Sequence, residues 1–396
     1  MNKYCSLLIG VLLVLTFSYE KIRAQEKSTP IIVITDLYHP YQDPGDNMDL
    51  IMGFGLPDVN LKAILLDITD SFRKEIADHP TLWKDPRGPR EGGVIPIEQL
   101  KYIFNKNVPY AMGPLSMMKS ESDRMEYLPH YEQEAINLLL NTLKKSNEPI
   151  EIVSFGSARI LAVAYNRNPN LMKKKIKKIH LSAGTANNDD ELGNDSGANA
   201  IPGGEWNVAL DVFAFNRILK SDLPVAIYPC AGKDGAFVKD TNNTYWKLPN
   251  MNFIYNMHIQ LQHYLNFAFT KSLQYDFLYA MDSDYPTKID INKFPQPFHI
   301  WESAIWLIAT KKEIICNSNN EYQIIKKEEL KKNHKLIINE LRPCILKDIT
   351  ENGRFKFIYT SKASNKEIYY RTNLKENEKA FQQVIPQLYI SITPKY

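Results

Sequence analysis

Five short apolar runs, separated by amphipathic stretches, set the strongest limit on what this chain can fold into. Ile31-Ile32-Val33-Ile34-Thr35, Leu61 to Asp67, Ile150 to Phe155, Lys178 to Ser182 and Pro224 to Tyr228 have the length and apolar content of buried strands. Helix-like segments lie between them, as from Tyr131 to Lys145 and from Ala158 to Tyr165, the latter opening directly after Gly156-Ser157. Such β-α-β alternation predicts an α/β fold with an open, mostly parallel sheet flanked by helices. Ligands of open α/β sheets sit at the carboxyl ends of the strands, so the residues just past each run carry the chemical interest.

The first such place is acidic. Asp43-Pro44-Gly45-Asp46-Asn47-Met48-Asp49 puts three carboxylates into one Pro-Gly turn shortly after the first run. Glycine lets the backbone turn tightly there, and acids so placed hold a cation, a sugar or a water. The plainer reading is that Asp46 caps a helix starting near Met48, with Asp49 favoured in its first turn by the helix dipole.

The first 24 residues read as a cleaved signal peptide. Lys3 precedes the apolar run from Leu7 to Leu15, which is short for a bilayer span, and a polar stretch closes at Ala24. Its removal leaves 45 basic against 44 acidic residues, a net charge of +1 that asks for no nucleic-acid partner. The expected location is secreted or periplasmic, with no stable membrane span after cleavage. Cys230, Cys316 and Cys344 remain, without metal-type spacing and in a number that allows at most one internal bridge. The expected division is a large α/β domain over 25–310 and a C-terminal extension over 311–396 packed on it. That extension is read as a small antiparallel β-rich appendage, from alternating runs such as Arg354 to Tyr359 and Gln387 to Ile392.

Two further stretches carry chemistry. Residues 198–211 place Asn199, Glu205, Asn207 and Asp211 around Gly203-Gly204, and amides with carboxylates suit hydroxyl-rich ligands because each sugar hydroxyl both donates and accepts. The competing reading is a loop whose asparagines satisfy backbone groups. His299 follows a Pro-rich loop and is read as opening an apolar helix, where a histidine can act as a general acid near neutral pH. Within residues 251–285, the eight aromatics from Phe253 to Tyr279 offer a wall for a planar base, although aromatics at helical spacing are more often core.

In this order along the chain, over roughly residues 30–310, these segments resemble the inosine-uridine-preferring nucleoside hydrolase family. The matching stretches are Asp43-Pro44-Gly45 through Asp49, Gly156-Ser157-Ala158-Arg159-Ile160, Asn199 to Asn207, and His299, with Asn199, Pro202, Glu205 and Asn207 at the family's spacing. The resemblance implies hydrolysis of N-glycosidic bonds in ribonucleosides or related ribosides, through a transition state with oxocarbenium character. It also implies a calcium ion that holds the ribose diol and the attacking water. Carried over, Asp43 is the base, Asp49 holds a ribose hydroxyl, Asn199, Glu205 and Asn207 grip the sugar, and His299 protonates or orients the leaving base. A nucleoside or riboside is then the small-molecule partner, and homo-oligomerisation is left open.

Two of the family's metal carboxylates have no counterpart, since Leu50 and Ile300 stand where acids are expected. Asp36 and Asp46, with Asp43, are the candidates to rebuild a calcium site. Arg159 replaces a threonine of the family pattern, and its guanidinium is a candidate substitute for the metal, neutralising Asp43 and Asp49. The alternative function is therefore a nucleoside- or sugar-binding protein on the same fold, without turnover and without the calcium site.

Overall fold

The computed structural model describes residues 28–37, 44–69, 92–188, 205–269, 281 and 289–394. The signal-peptide stretch, Asp43 and Asn199 lie outside the described residues.

The first apolar run forms β1, Thr29–Thr35, between β2, Val59–Leu66, and a third parallel strand, Ile150–Ser154. With Tyr110–Met112 as β3, that strand is β4, and Ile176–Ser182, Thr185–Asn187 and Val225–Tyr228 are β5, β6 and β7. All neighbours in the order β3-β2-β1-β4-β5-β7 run parallel. Both faces of β1 are covered, as parallel sheets require, and its side chains alternate between two cores. Ile31 and Val33 join one core with Leu50 and Phe54 of α1, Pro44–Gly55. Ile32 and Ile34 join the other with Leu139 and Leu143 of a helix at Glu134–Lys145 and Leu161 of one at Arg159–Arg167. Counting Val94–Ile103 as α2, these are α3 and α4.

α1 begins at Pro44, earlier than expected from the sequence. Asp46 therefore sits in the first turn, where the helix dipole favours an acid, and Asp49 lies inside the helix.

The chain after residue 311 is β-rich and largely antiparallel, and part of it continues the central sheet. Asn339–Ile349, Arg354–Tyr359 and Lys366–Arg371 extend the order beyond β7, the last of them pairing parallel to β7 through Lys366↔Val225. A separate three-stranded antiparallel sheet uses Lys312–Cys316, Tyr322–Lys326 and Lys335–Ile337. Gln387 to Ile392, expected as a strand, instead closes the helix Leu374–Ser391. Leu388, Ile390 and Ile392 alternate, but burial follows Phe381, Val384, Ile385 and Tyr389, the helical spacing of one apolar stripe. This helix ends against α1, where a Cβ on Gly55 would come within 2.3 Å of Ile392.

His299 also differs from expectation. It lies on the short strand Phe298–Ile300, paired antiparallel with Trp246–Leu248, and the apolar helix opens four residues later at Ser303–Ala309.

Candidate active site

The carboxyl ends of β1, β2, β4 and β5 gather a set of buried polar groups. Asp36 follows β1 and Asp67 follows β2, both buried. Ser157, in the turn after β4, donates to Asp67 Oδ2 at 2.8 Å, while Asp67 Oδ1 is buried with no hydrogen-bond partner among the described residues. The turn at Gly156 explains how they come so close. A Cβ there would sit 2.4 Å from Asp67 Oδ1 and 2.8 Å from the Asp36 nitrogen, so only glycine fits.

Burial dominates the electrostatics of Asp67. Loss of solvent raises its pKa to about 7, opposed by the Arg159 charge and reinforced by Asp36.

The second half of the set surrounds Ser182, the last residue of β5. Its hydroxyl donates to Glu302 Oε1 at 3.2 Å and lies 3.3 Å from Cys230 Sγ, and its carbonyl accepts from Asn207 Nδ2 at 2.8 Å. Asn207 belongs to a five-residue helix, Trp206–Leu210, capped by Glu205. Glu205 accepts from the backbone nitrogens of Gly184, Asn207 and Val208 at 2.8, 3.0 and 3.3 Å. Burial nevertheless raises its pKa, and burial with the nearby Glu205 and Glu302 charges pushes the Cys230 thiol up. The half-buried Trp206 ties the two halves together by donating from its indole nitrogen to Asp36 Oδ2 at 3.2 Å.

Beside Glu302 stands an aromatic wall. Trp301 donates from its indole nitrogen to the carbonyls of Cys230 and Ala236 at 3.0 and 3.2 Å. Tyr245 stacks on His299 with ring centroids 5.8 Å apart, and the Tyr245 hydroxyl lies 2.9 Å from His299 Nδ1. Phe237, 60% exposed, sets its edge against Tyr245, His299 and Trp301.

The sequence-derived candidates divide accordingly. Asp36, Glu205 and Asn207 are brought to one end of the sheet, and His299 joins the wall next to Glu302. Asp49, in α1, accepts from the Trp306 indole nitrogen at 2.9 Å. Asp46 is buried in the first turn of the same helix, near Tyr264. Arg159 is placed otherwise than expected, because Asp49 is not among its partners. Its guanidinium donates to the carbonyls of Pro114, Leu210, Asp67 and Ile68 and to Thr69 Oγ1, and it faces Asp211 Oδ2 at 3.6 Å. These protein oxygens absorb it, so it is no stand-in for a metal at Asp49.

Calcium takes six to eight oxygen ligands. Among the described residues no group of three or more His, Cys, Asp or Glu converges to hold a metal ion. One oxygen of Asp36 and one of Asp49 are engaged by indole nitrogens. The described donors therefore do not by themselves fit a calcium cage.

No family profile matches the chain. Individual relatives do. The pyrimidine-specific ribonucleoside hydrolase RihA of Salmonella schwarzengrund is 27% identical over 191 residues, 47% of this chain and 57% of that protein. Over that span the chain is similar to ribonucleoside hydrolases. RihA of Salmonella agona is 26% identical over the same length and shares of both chains. The match thus spans a little over half the length of these relatives. Among solved structures, the inosine-uridine preferring nucleoside hydrolase of Bacillus anthracis aligns with TM-score 0.49 and 13% identity, over 92% of this chain and 100% of that one. An inosine-guanosine nucleoside hydrolase aligns with TM-score 0.49 and 13% identity, over 89% and 97%.

The sequence reading gave no site role to Glu302, Ser182, Trp206 or Cys230, and took Asp67 only as the end of the second apolar run. The signal for Ser182 and Asp67 was available, since each stands at the carboxyl end of an apolar run. Glu302 carries no such signal, because its arrival at Ser182 depends on how the helix Ser303–Ala309 docks. The base wall was sought between residues 251 and 285. There Tyr264, Phe267 and Phe269 are core, and Tyr275, Phe277 and Tyr279 lie outside the described residues.

Proposed function

We propose that this protein hydrolyses the N-glycosidic bond of ribonucleosides or related ribosides. The observation that carries the reading is Asp67, titrating near neutrality, set beside Asp36 at the strand ends of a chain similar to ribonucleoside hydrolases. A carboxyl group of that pKa exchanges a proton at working pH, which general acid–base chemistry needs. Asp36, with Asp43 and Asp49 carried over from the resemblance, would orient water and sugar hydroxyls. Their negative field would stabilise positive charge developing at the anomeric carbon. Asn199, Glu205 and Asn207 would shape the sugar side. The wall of Tyr245, His299, Trp301 and Phe237 would receive the leaving base, with His299 able to hold or deliver a proton. No step is routed through calcium.

One observation favours a second reading, binding without turnover. Glu205 spends its carboxylate on three backbone nitrogens and Asn207 its amide on the Ser182 carbonyl, so both already serve the protein itself. We further propose export through the leader at residues 1–24. No helix among the described residues is long and apolar enough to cross a membrane.

Incubating the mature protein with purine and pyrimidine ribonucleosides, with and without added calcium or chelator, and measuring free base and reducing sugar, tests both readings. Hydrolysis is expected, and Asp43→Asn should abolish turnover while ligand is still bound. Saturable nucleoside binding with no free base under any condition would establish the binder.

A further inference from the structure

We infer that Arg159 is a positioning residue that fixes the short helix bearing Trp206 and Asn207 over the strand ends. Arg159 opens α4 and is fully buried. Its guanidinium reaches three other segments at once. Nη2 donates to the carbonyls of Asp67 and Ile68 at 2.7 and 3.0 Å, Nε to that of Pro114 at 3.1 Å, and Nη1 to Thr69 Oγ1 at 2.9 Å and the Leu210 carbonyl at 3.4 Å.

These segments carry the site. Asp67 to Thr69 leave β2 through the carboxylate beside Asp36, and Pro114 opens the loop that follows β3. Leu210 ends the helix Trp206–Leu210. Five residues are too few for a helix to persist by its own hydrogen bonds, so its position is set from outside. Glu205 holds its amino end through the Asn207 and Val208 nitrogens. Arg159 holds its carboxyl end at Leu210 and Asp211. Asp211 passes the constraint on, accepting from Met118 N at 2.8 Å and from Ala214 N at 3.1 Å. Thr69 closes the frame by donating to the Leu210 carbonyl at 3.3 Å.

A stabilising role alone would not call for arginine, because apolar residues of similar volume often replace buried ion pairs without loss of stability. What an apolar residue cannot do is fix three chain segments at set distances through a planar fork of donors.

Arg159→Lys keeps a charge near Asp211 but cannot span the three segments, and Thr69→Val removes one strut while leaving Arg159 in place. Amide hydrogen exchange on the full mature chain, well below each variant's unfolding midpoint, reads the frame. In Arg159→Lys, protection should fall together at Ile68–Thr69, Leu115–Met118 and Asn207–Ala214, while Ile152 and Ile179 in β4 and β5 keep theirs. Thr69→Val should loosen only the first and last of these segments. A uniform fall across β4, β5 and the frame, or no fall in the frame, would overturn the inference. The second readout is D-ribose binding and rests on the nucleoside reading. A loss of at least tenfold in Arg159→Lys is expected, and unchanged affinity in a loosened frame would refute the positioning role. If the unsubstituted chain binds neither ribose nor nucleosides, the nucleoside reading fails, while the exchange pattern still decides the role of Arg159.

Discussion

Glu151 and Asp67 are buried carboxylates one strand apart from β1 on either side, and the protein treats them in opposite ways. Glu151, near the start of β4, has both oxygens engaged, one by Lys177 Nζ at 2.6 Å and one by His180 Nε2 at 2.9 Å. His180 is in turn 2.8 Å from the Tyr228 hydroxyl through its other ring nitrogen. Burial, the largest single influence on Glu151, acts to raise its pKa, but the bonds and charges of His180 and Lys177 together bring it down to about 2. Asp67 has one oxygen on Ser157 and, among the described residues, no partner on the other, and burial prevails. One carboxylate is built into the sheet as structure. The other is kept at a cost to stability at the end where ligands bind, the pattern expected of a functional group.

The largest effect that can test this contrast is on the structural side. Glu151→Ala leaves the buried His180 and the half-exposed Lys177 without their shared partner and should cost about 3 kcal/mol, the upper end of what an unsatisfied buried polar group costs. Urea unfolding at pH 7 measures it. A loss below about 1 kcal/mol would erase the contrast, for Glu151 would then be no better used than Asp67.

Next in size is Asp67→Asn, which has the opposite sign. The carboxyl of Asp67 has a raised pKa when folded, so on increasing pH the unfolded chain gives up its proton first and gains relative to the native state. Its contribution to stability is therefore lost as pH rises from about 4 to about 7. Glu151 runs the other way, its contribution present above pH 4.5 and lost as pH falls toward about 2. Asp67→Asn should stabilise the protein at pH 8, by on the order of 2 kcal/mol, and change little at pH 4. Nucleoside turnover should fall in the same variant. Equal urea midpoints for the variant and the unsubstituted chain at pH 8 would mean that Asp67 carries no such cost.

What was visible in the sequence and what was not follows from range. The parallel strands were legible because a run such as Ile31 to Thr35 must be buried on both faces, and that demand is written in consecutive residues. Asp36 was legible for the same reason, as it follows the first run directly, while Asp67 stands at the end of the second run and was read only as part of that strand. The Glu151–His180–Tyr228 chain crosses three strands, and its pairing depends on register between β4, β5 and β7. Arg159 read as a charge aimed into the pocket, because nothing local shows that its acceptors lie 45 to 92 residues away in sequence. The helix at Leu374–Ser391 was mistaken at its end for a strand because three alternating apolar residues imitate a period of two.

The smallest stability effect, and the sharpest separation of site from scaffold, is expected at Phe237. Its ring is 60% exposed and sets its edge against the aromatic wall. Phe237→Ala should therefore leave thermal stability within about 0.5 kcal/mol of the unsubstituted chain, as for surface positions outside the core. If the wall receives the base, the lost contact is made equally with bound substrate and transition state, so KM should rise several-fold while kcat holds. A fall in kcat at constant KM would instead place Phe237 in contact with developing charge rather than with the base. That result would move the wall from the binding side of the contrast toward the Asp67 side, and His299 with it, since the two rings lie 5.1 Å apart.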